Sequence, residues 1–159
     1  MILLVLLITS CGTEVRKNYT INNINLKAEG PLFDGPNTLQ ASHVFDLTSI
    51  DPELKSDRIK SVRLIKASVT TTDSIGFDRI RSLVFQITSA NEGLQQLAVL
   101  NPVPDGINTA DLNPSTEADV KKLFGQNELT FVLDADLEGD QDENMEYSGN
   151  FEFEIVYKQ

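Results

Sequence analysis

A chain of 159 residues is long enough for one folded domain with a hydrophobic core of its own. Its formal net charge of −11, with 13 basic residues scattered among 24 acidic ones, argues against nucleic acid as a partner, because phosphate binding needs clustered Lys and Arg. One cysteine allows no internal disulfide, and one histidine with one cysteine gives too few ligands for a His/Cys zinc site.

In chain order, the first ten residues read Met-Ile-Leu-Leu-Val-Leu-Leu-Ile-Thr-Ser, uncharged and apolar until the last two. A membrane-spanning helix needs about 20 such residues, so this run is expected to be an export signal. It ends at Leu7-Ile8-Thr9-Ser10-Cys11, which resembles the lipobox of bacterial lipoproteins. The resemblance implies a diacylglycerol on the Cys11 thiol, cleavage before Cys11 and acylation of the new amine. Two or three acyl chains anchor firmly, at about 0.8 kcal/mol per buried methylene. Gly12 stands where an Asp would resemble an inner-membrane retention signal, so the resemblance implies the outer membrane and leaves the periplasmic or surface face open. The expected organisation is a signal peptide over 1–10, a lipidated cysteine and tether over 11–18, and a single domain over 19–159.

From Tyr19 onward apolar and polar residues alternate, which puts one side-chain face of each strand in a core and the other in water. Ile24, Leu26 and Ala28 form a first strand out of register with Tyr19 and Ile21, which predicts a bulge near Asn22 and Asn23. Leu39, Ala41, His43, Phe45 and Leu47 share a face of the next. Residues 61–72, 83–88 and 94–100 read as further strands, with Gly/Pro joints at 30–31, 35–36, 102–106 and 139. Asn113, Pro114, Glu117, Asp119, Lys121, Lys122 and Gly125 carry the start and stop signals of one short helix whose Val120, Leu123 and Phe124 would pack on a sheet. Leu129, Phe131, Leu133, Ala135 and Leu137, then Met145, Tyr147, Gly149, Phe151, Phe153, Ile155 and Tyr157, read as inward faces of a long C-terminal hairpin. About seven strands and one helix point to an all-β antiparallel β-sandwich, with an immunoglobulin-like arrangement as one form. In size and strand pattern the chain resembles small outer-membrane lipoproteins; no motif ties it to a named family.

Catalytic constellations are scarce. His43, the only histidine, lies on an apolar strand face, Cys11 is committed to lipid, and no glycine spacing matches a phosphate-binding loop. Tyr147 and Tyr157 sit on the apolar face of the last strand and read as core or interface residues rather than a sugar-stacking platform. The sharpest cluster is Asp134, Asp136, Glu138, Asp140 and Asp142 with Gly139, which resembles the first positions of an EF-hand calcium loop. It departs from that pattern at Met145, where the twelfth-position Glu belongs, and in its strand flanks. The competing reading is a solvated, charged turn that guards a sheet. The leading expectation is therefore a non-enzymatic, lipid-anchored interaction module of the envelope without cofactor, whose partner is an envelope protein or extracellular ligand. The alternative is a calcium-dependent adhesion or carbohydrate-binding module, and a third reading is an envelope hydrolase that uses a pair of its carboxylates.

Overall fold

The computed structural model describes residues 13–73, 76–126 and 128–159. Eight antiparallel strands close into a barrel: β1 (Glu14–Ala28), β2 (Gly35–Val44), β3 (Ile59–Thr70), β4 (Ile80–Ser89), β5 (Glu92–Leu100), β6 (Thr109–Pro114), β7 (Glu128–Leu137) and β8 (Met145–Lys158). Their order around the barrel is β1-β2-β7-β4-β5-β6-β3-β8, with β8 closing on β1. The all-β antiparallel expectation holds, and the sandwich is corrected to a barrel. The reason lies in two narrow seams. β1 meets β2 in register at Lys27 and Gln40, and β5 meets β6 at Ala98–Pro114 and Val99–Asn113. Without them the strands would form two sheets, and alternation looks the same either way.

The faces read from alternation are the observed ones on β7 and β8, where every residue named above as inward is buried. Their pairing is not. β8 lies between β1 and β3, and β7 lies between β2 and β4, so the two do not form a hairpin. The bulge is where the sequence places it: the β1–β8 register shifts between Ile21 and Ile24, and Asn23 takes φ 58°. Residues 14–18, expected as tether, belong to β1 and pair with β8.

The expected helix is also corrected. Pro114 ends β6, and only Leu123–Gly125 turns helically, as a 3-10 turn. The Val120 amide donates to the Val62 carbonyl of β3 (2.9 Å), and an Asp119 carboxylate oxygen accepts from the Val62 amide (3.0 Å). These tertiary bonds replace intrahelical ones and let Val120, Leu123 and Phe124 bury fully.

Inside, side chains fill the barrel, as the diameter of eight strands permits. Phe85 and Phe151 stack at 4.0 Å between ring centroids, and Phe131 lies 5.3 Å from Phe151 at mid-height. Gly149 makes room for this column, since a Cβ there would stand 2.6 Å from the Phe151 ring. The outer face carries Arg16, Asn18, Lys66 and Glu152 over an apolar interior, the reverse of a membrane-spanning barrel.

Candidate functional site

The two ends of the barrel differ. At the lower end, where β1 begins and β8 ends, residues 45–58 and 115–126 fold across the opening. Phe124 packs edge-on to Phe45 (4.4 Å) and Phe153 (5.0 Å), and Phe45 meets Tyr19 (5.2 Å). One polar cluster here is paired internally: Asp51 takes an ion pair from Lys17 (2.9 Å) and a hydrogen bond from the Tyr157 hydroxyl (2.8 Å). Lys17, helped by the Glu53 amide and Tyr157, holds the Asp51 carboxyl down at about 2.

At the upper end the described residues of four loops, 29–34, 71–79, 101–108 and 138–144, surround the mouth. They carry Glu29, Asp34, Asp73, Asp78, Asp105, Glu138, Asp140, Asp142 and Glu143, with Arg79 as their single basic residue. The lower loops are mixed, with Lys55, Arg58, Lys121 and Lys122 among their carboxylates. Most of the net negative charge therefore gathers at one pole.

Between loops 71–79 and 138–144 and the start of β8 lies a cleft of about 250 Å³, lined by Thr71, Asp73, Arg79, Asn144 and Tyr147 among others. Thr71 is buried, its amide bonded to the Asn108 carbonyl (3.0 Å) and its hydroxyl accepting from the Asp73 amide (3.1 Å). The Tyr147 side chain is 6 % exposed and packs on Phe77 (4.9 Å). Burial, and secondarily the negative Asp73, raises its phenol pKa far above the ordinary value, so it stays protonated. Arg79 donates to the carbonyls of Asp140 (3.0 Å) and Glu138 (3.4 Å), which pins the rim. Leu32 and Gln141 exchange backbone hydrogen bonds (2.8 and 2.9 Å), tying two rim loops together.

The five acidic residues read as a calcium loop are spread apart. Asp134 and Asp136 share the outer face of β7. Asp134 accepts from the Thr38 hydroxyl (2.6 Å) and Gln86 amide (2.5 Å). Asp136 pairs with Arg81 (2.9 Å), which also binds Asp34 (2.6 Å) and stands 3.8 Å from Glu138. Asp140 accepts from the Asp34 amide (2.8 Å), and Asp142 is exposed. Among the described residues no three His, Cys, Asp or Glu side chains are grouped to hold a metal ion. Cys11 lies outside the described residues.

His43 lies half-buried on β2 beside Phe131 (5.9 Å), its Nε2 buried without a partner among the described residues, and burial lowers its pKa. It lines none of the clefts described here. Sequence reasoning passed over Asp73, and it took Tyr147 for core. The available signal was that Tyr147 is an inward residue one step from the end of its strand, where a phenol tip reaches the mouth.

Compared with known proteins, the chain matches no family model and no curated protein.

Proposed function

We propose that the protein is a non-enzymatic, lipid-anchored binding module of the bacterial envelope, held to the outer membrane through Cys11 and offering its upper cleft to a ligand or partner. The observation that carries this reading is the position of Glu14: β1 starts there, at the lower end, three residues after the lipobox cysteine. Three residues of extended chain reach about 10 Å at most, so an acyl anchor on Cys11 would seat the lower end against the headgroups and point the cleft away. Charge supports the same orientation, because anionic lipid would repel the carboxylate-rich upper loops and tolerate the mixed lower ones. The filled barrel leaves binding to the ends and outer wall. Calcium stays the weaker alternative, since Arg81 and Arg79 already occupy the positions that a cation would take among Asp34, Asp136, Glu138 and Asp140.

The test is intact-mass analysis of protein extracted from bacterial envelopes. Acyl chains should be found on Cys11 at the new N-terminus, and Cys11→Ser should release the protein or leave it misprocessed. A free thiol at Cys11 in envelope-derived protein would overturn the anchor.

A further inference from the structure

We propose that the seam between β1 and β2 is an acid-operated gate at the lower end of the barrel, opened when His43 takes up a proton. It stands apart from what the upper cleft binds. Its first support is the seam itself. β2 pairs with β7 from Gly35 to Val44 and β1 pairs with β8 from Glu14 to Ala28, yet β1 and β2 are in register only at Lys27 and Gln40. Below that point side chains tie the strands: Tyr19 meets Phe45 edge-on (5.2 Å), and Lys17 reaches the Ile50 carbonyl (3.3 Å) and Asp51 (2.9 Å). His43 lies on β2 between the backbone tie and the aromatic one, where opening breaks little backbone pairing.

The second support is the setting of the imidazole. His43 stands opposite Leu129 of β7 and edge-on to Phe131 (5.9 Å), and its Nε2 is buried with no partner among the described residues. A neutral ring tolerates this better than an imidazolium, which adds a charge and a second N–H donor with no acceptor to meet them. The surrounding elements supply no counter-charge. β1 turns Lys17 and Tyr19 to the inner face, the segment after β2 carries Asp46, Asp51 and Glu53, and β7 carries Glu128 opposite Val44 on the outer wall. Lys17 and Asp51 are bound to each other, and Asp46 accepts from the Thr48 amide (2.9 Å) and hydroxyl (2.7 Å). Glu53, Glu128 and the charged residues of 115–126 are exposed. Burial alone acts on the His43 pKa and lowers it. The folded chain therefore binds this proton less readily than the unfolded one. The stability that the neutral ring adds is complete above about pH 6.5 and is lost as pH falls below it. A charged ring reaches water across the seam, since β7 holds β2 along its other edge.

His43 is the only histidine, so its imidazole resonances identify themselves in an NMR titration of the full chain in detergent, run from about pH 7.5 to 4.5. Carbon-13 relaxation dispersion on the rings of Tyr19 and Phe45, which meet across the seam, reads the open population, and the stacked rings of Phe85 and Phe151 serve as reference. Asp51, held down at about 2, keeps its charge throughout, so the Lys17 tie does not titrate. The imidazole should take up its proton with a midpoint below 6.5, and the open population should rise on the same midpoint while the reference rings stay unchanged. Between pH 7.5 and 5.5 the rise should be about three- to tenfold, tenfold being the ceiling for a group whose ordinary pKa lies about one unit above the lower pH. His43→Gln and His43→Phe take up no proton there and should show an open population independent of pH. The parent titration decides the matter even where a variant fails to fold. A ring still neutral at pH 4.5, a midpoint at or above 6.5, or an open population that ignores protonation would overturn the proposal. So would an equal acid response in His43→Gln, or one shared by the reference rings.

Discussion

β8 carries a tyrosine near each end, both on the inward face and both buried, and the barrel treats them in opposite ways. Tyr157 donates to Asp51, which is itself bound to Lys17, at the wall of a lower cleft lined also by Glu53 and Arg58. Tyr147 ends in a polar cleft with no partner for its hydroxyl among the described residues. The same strand, with the same alternation, thus finishes one end with a phenol held by an internal carboxylate and the other with a phenol that makes no hydrogen bond to a described residue. The difference is made by what the neighbouring segments supply: the Asp51 carboxylate within reach of Tyr157 below, and the Phe77 ring against Tyr147 above.

The largest expected effect lies in the aromatic packing at the lower end. Phe153 is fully buried against Phe124, and Phe153→Ala should cost about 3–5 kcal/mol in chemical denaturation. A loss below about 1 kcal/mol would mean that this end is loosely packed, and the contrast between the ends would fall.

A smaller difference separates the two phenols. Tyr157→Phe should destabilise by about 1–2 kcal/mol, because it deprives a charged acceptor of a bond, whereas Tyr147→Phe should be neutral or slightly stabilising. Equal losses would show that Tyr147 is structurally satisfied and that the upper cleft is ordinary core.

The contrast also has a pH signature. The Asp51 carboxyl is held at about 2 in the folded chain against 3.8 ordinarily, so the folded state binds its proton less readily. The stability this adds is complete above about pH 4 and is lost as pH falls from there toward 2. Acid denaturation of Asp51→Asn should accordingly be less steep across that window than that of the parent. At the upper end the Tyr147 phenol stays neutral at every physiological pH and adds no slope.

Much of the packing at the lower end was legible in the sequence, and little of the upper cleft was. Alternation identified Phe151, Phe153, Ile155 and Tyr157 as inward, and the slipped register around Asn22 and Asn23 marked the bulge, because burial of one strand face is a local property. Strand partners are not local. β7 and β8 pair with other strands although they follow one another, and no residue in either announces that. Residues 113–125 have helix caps in the right places, yet the backbone of Val120 and the side chain of Asp119 bind Val62 of β3 instead. The cleft joins Asp73, after β3, to Tyr147, in β8, and it is the β3–β8 pairing, with Thr70 opposite Ser148, that brings them together. The acidic run 134–142 attracted a calcium reading because the sequence does not show Arg81 reaching across from β4.

The central claim is that the barrel stands on the membrane by its lower end with the cleft facing away. Spin labels at Lys121→Cys and Asp105→Cys, both exposed, probe the two poles, and electron paramagnetic resonance accessibility on vesicles bearing the acylated protein reads their depth. Strands of about ten residues rising about 3.3 Å each, tilted as barrel strands are, separate the poles by roughly 25 Å. The label at 121 should lie near the headgroups and be relaxed by lipid-borne reagents, and the label at 105 should be relaxed only by water-soluble ones. Equal accessibility of the two, or the label at 105 nearer the lipid, would contradict the orientation and with it the placement of the upper cleft away from the membrane.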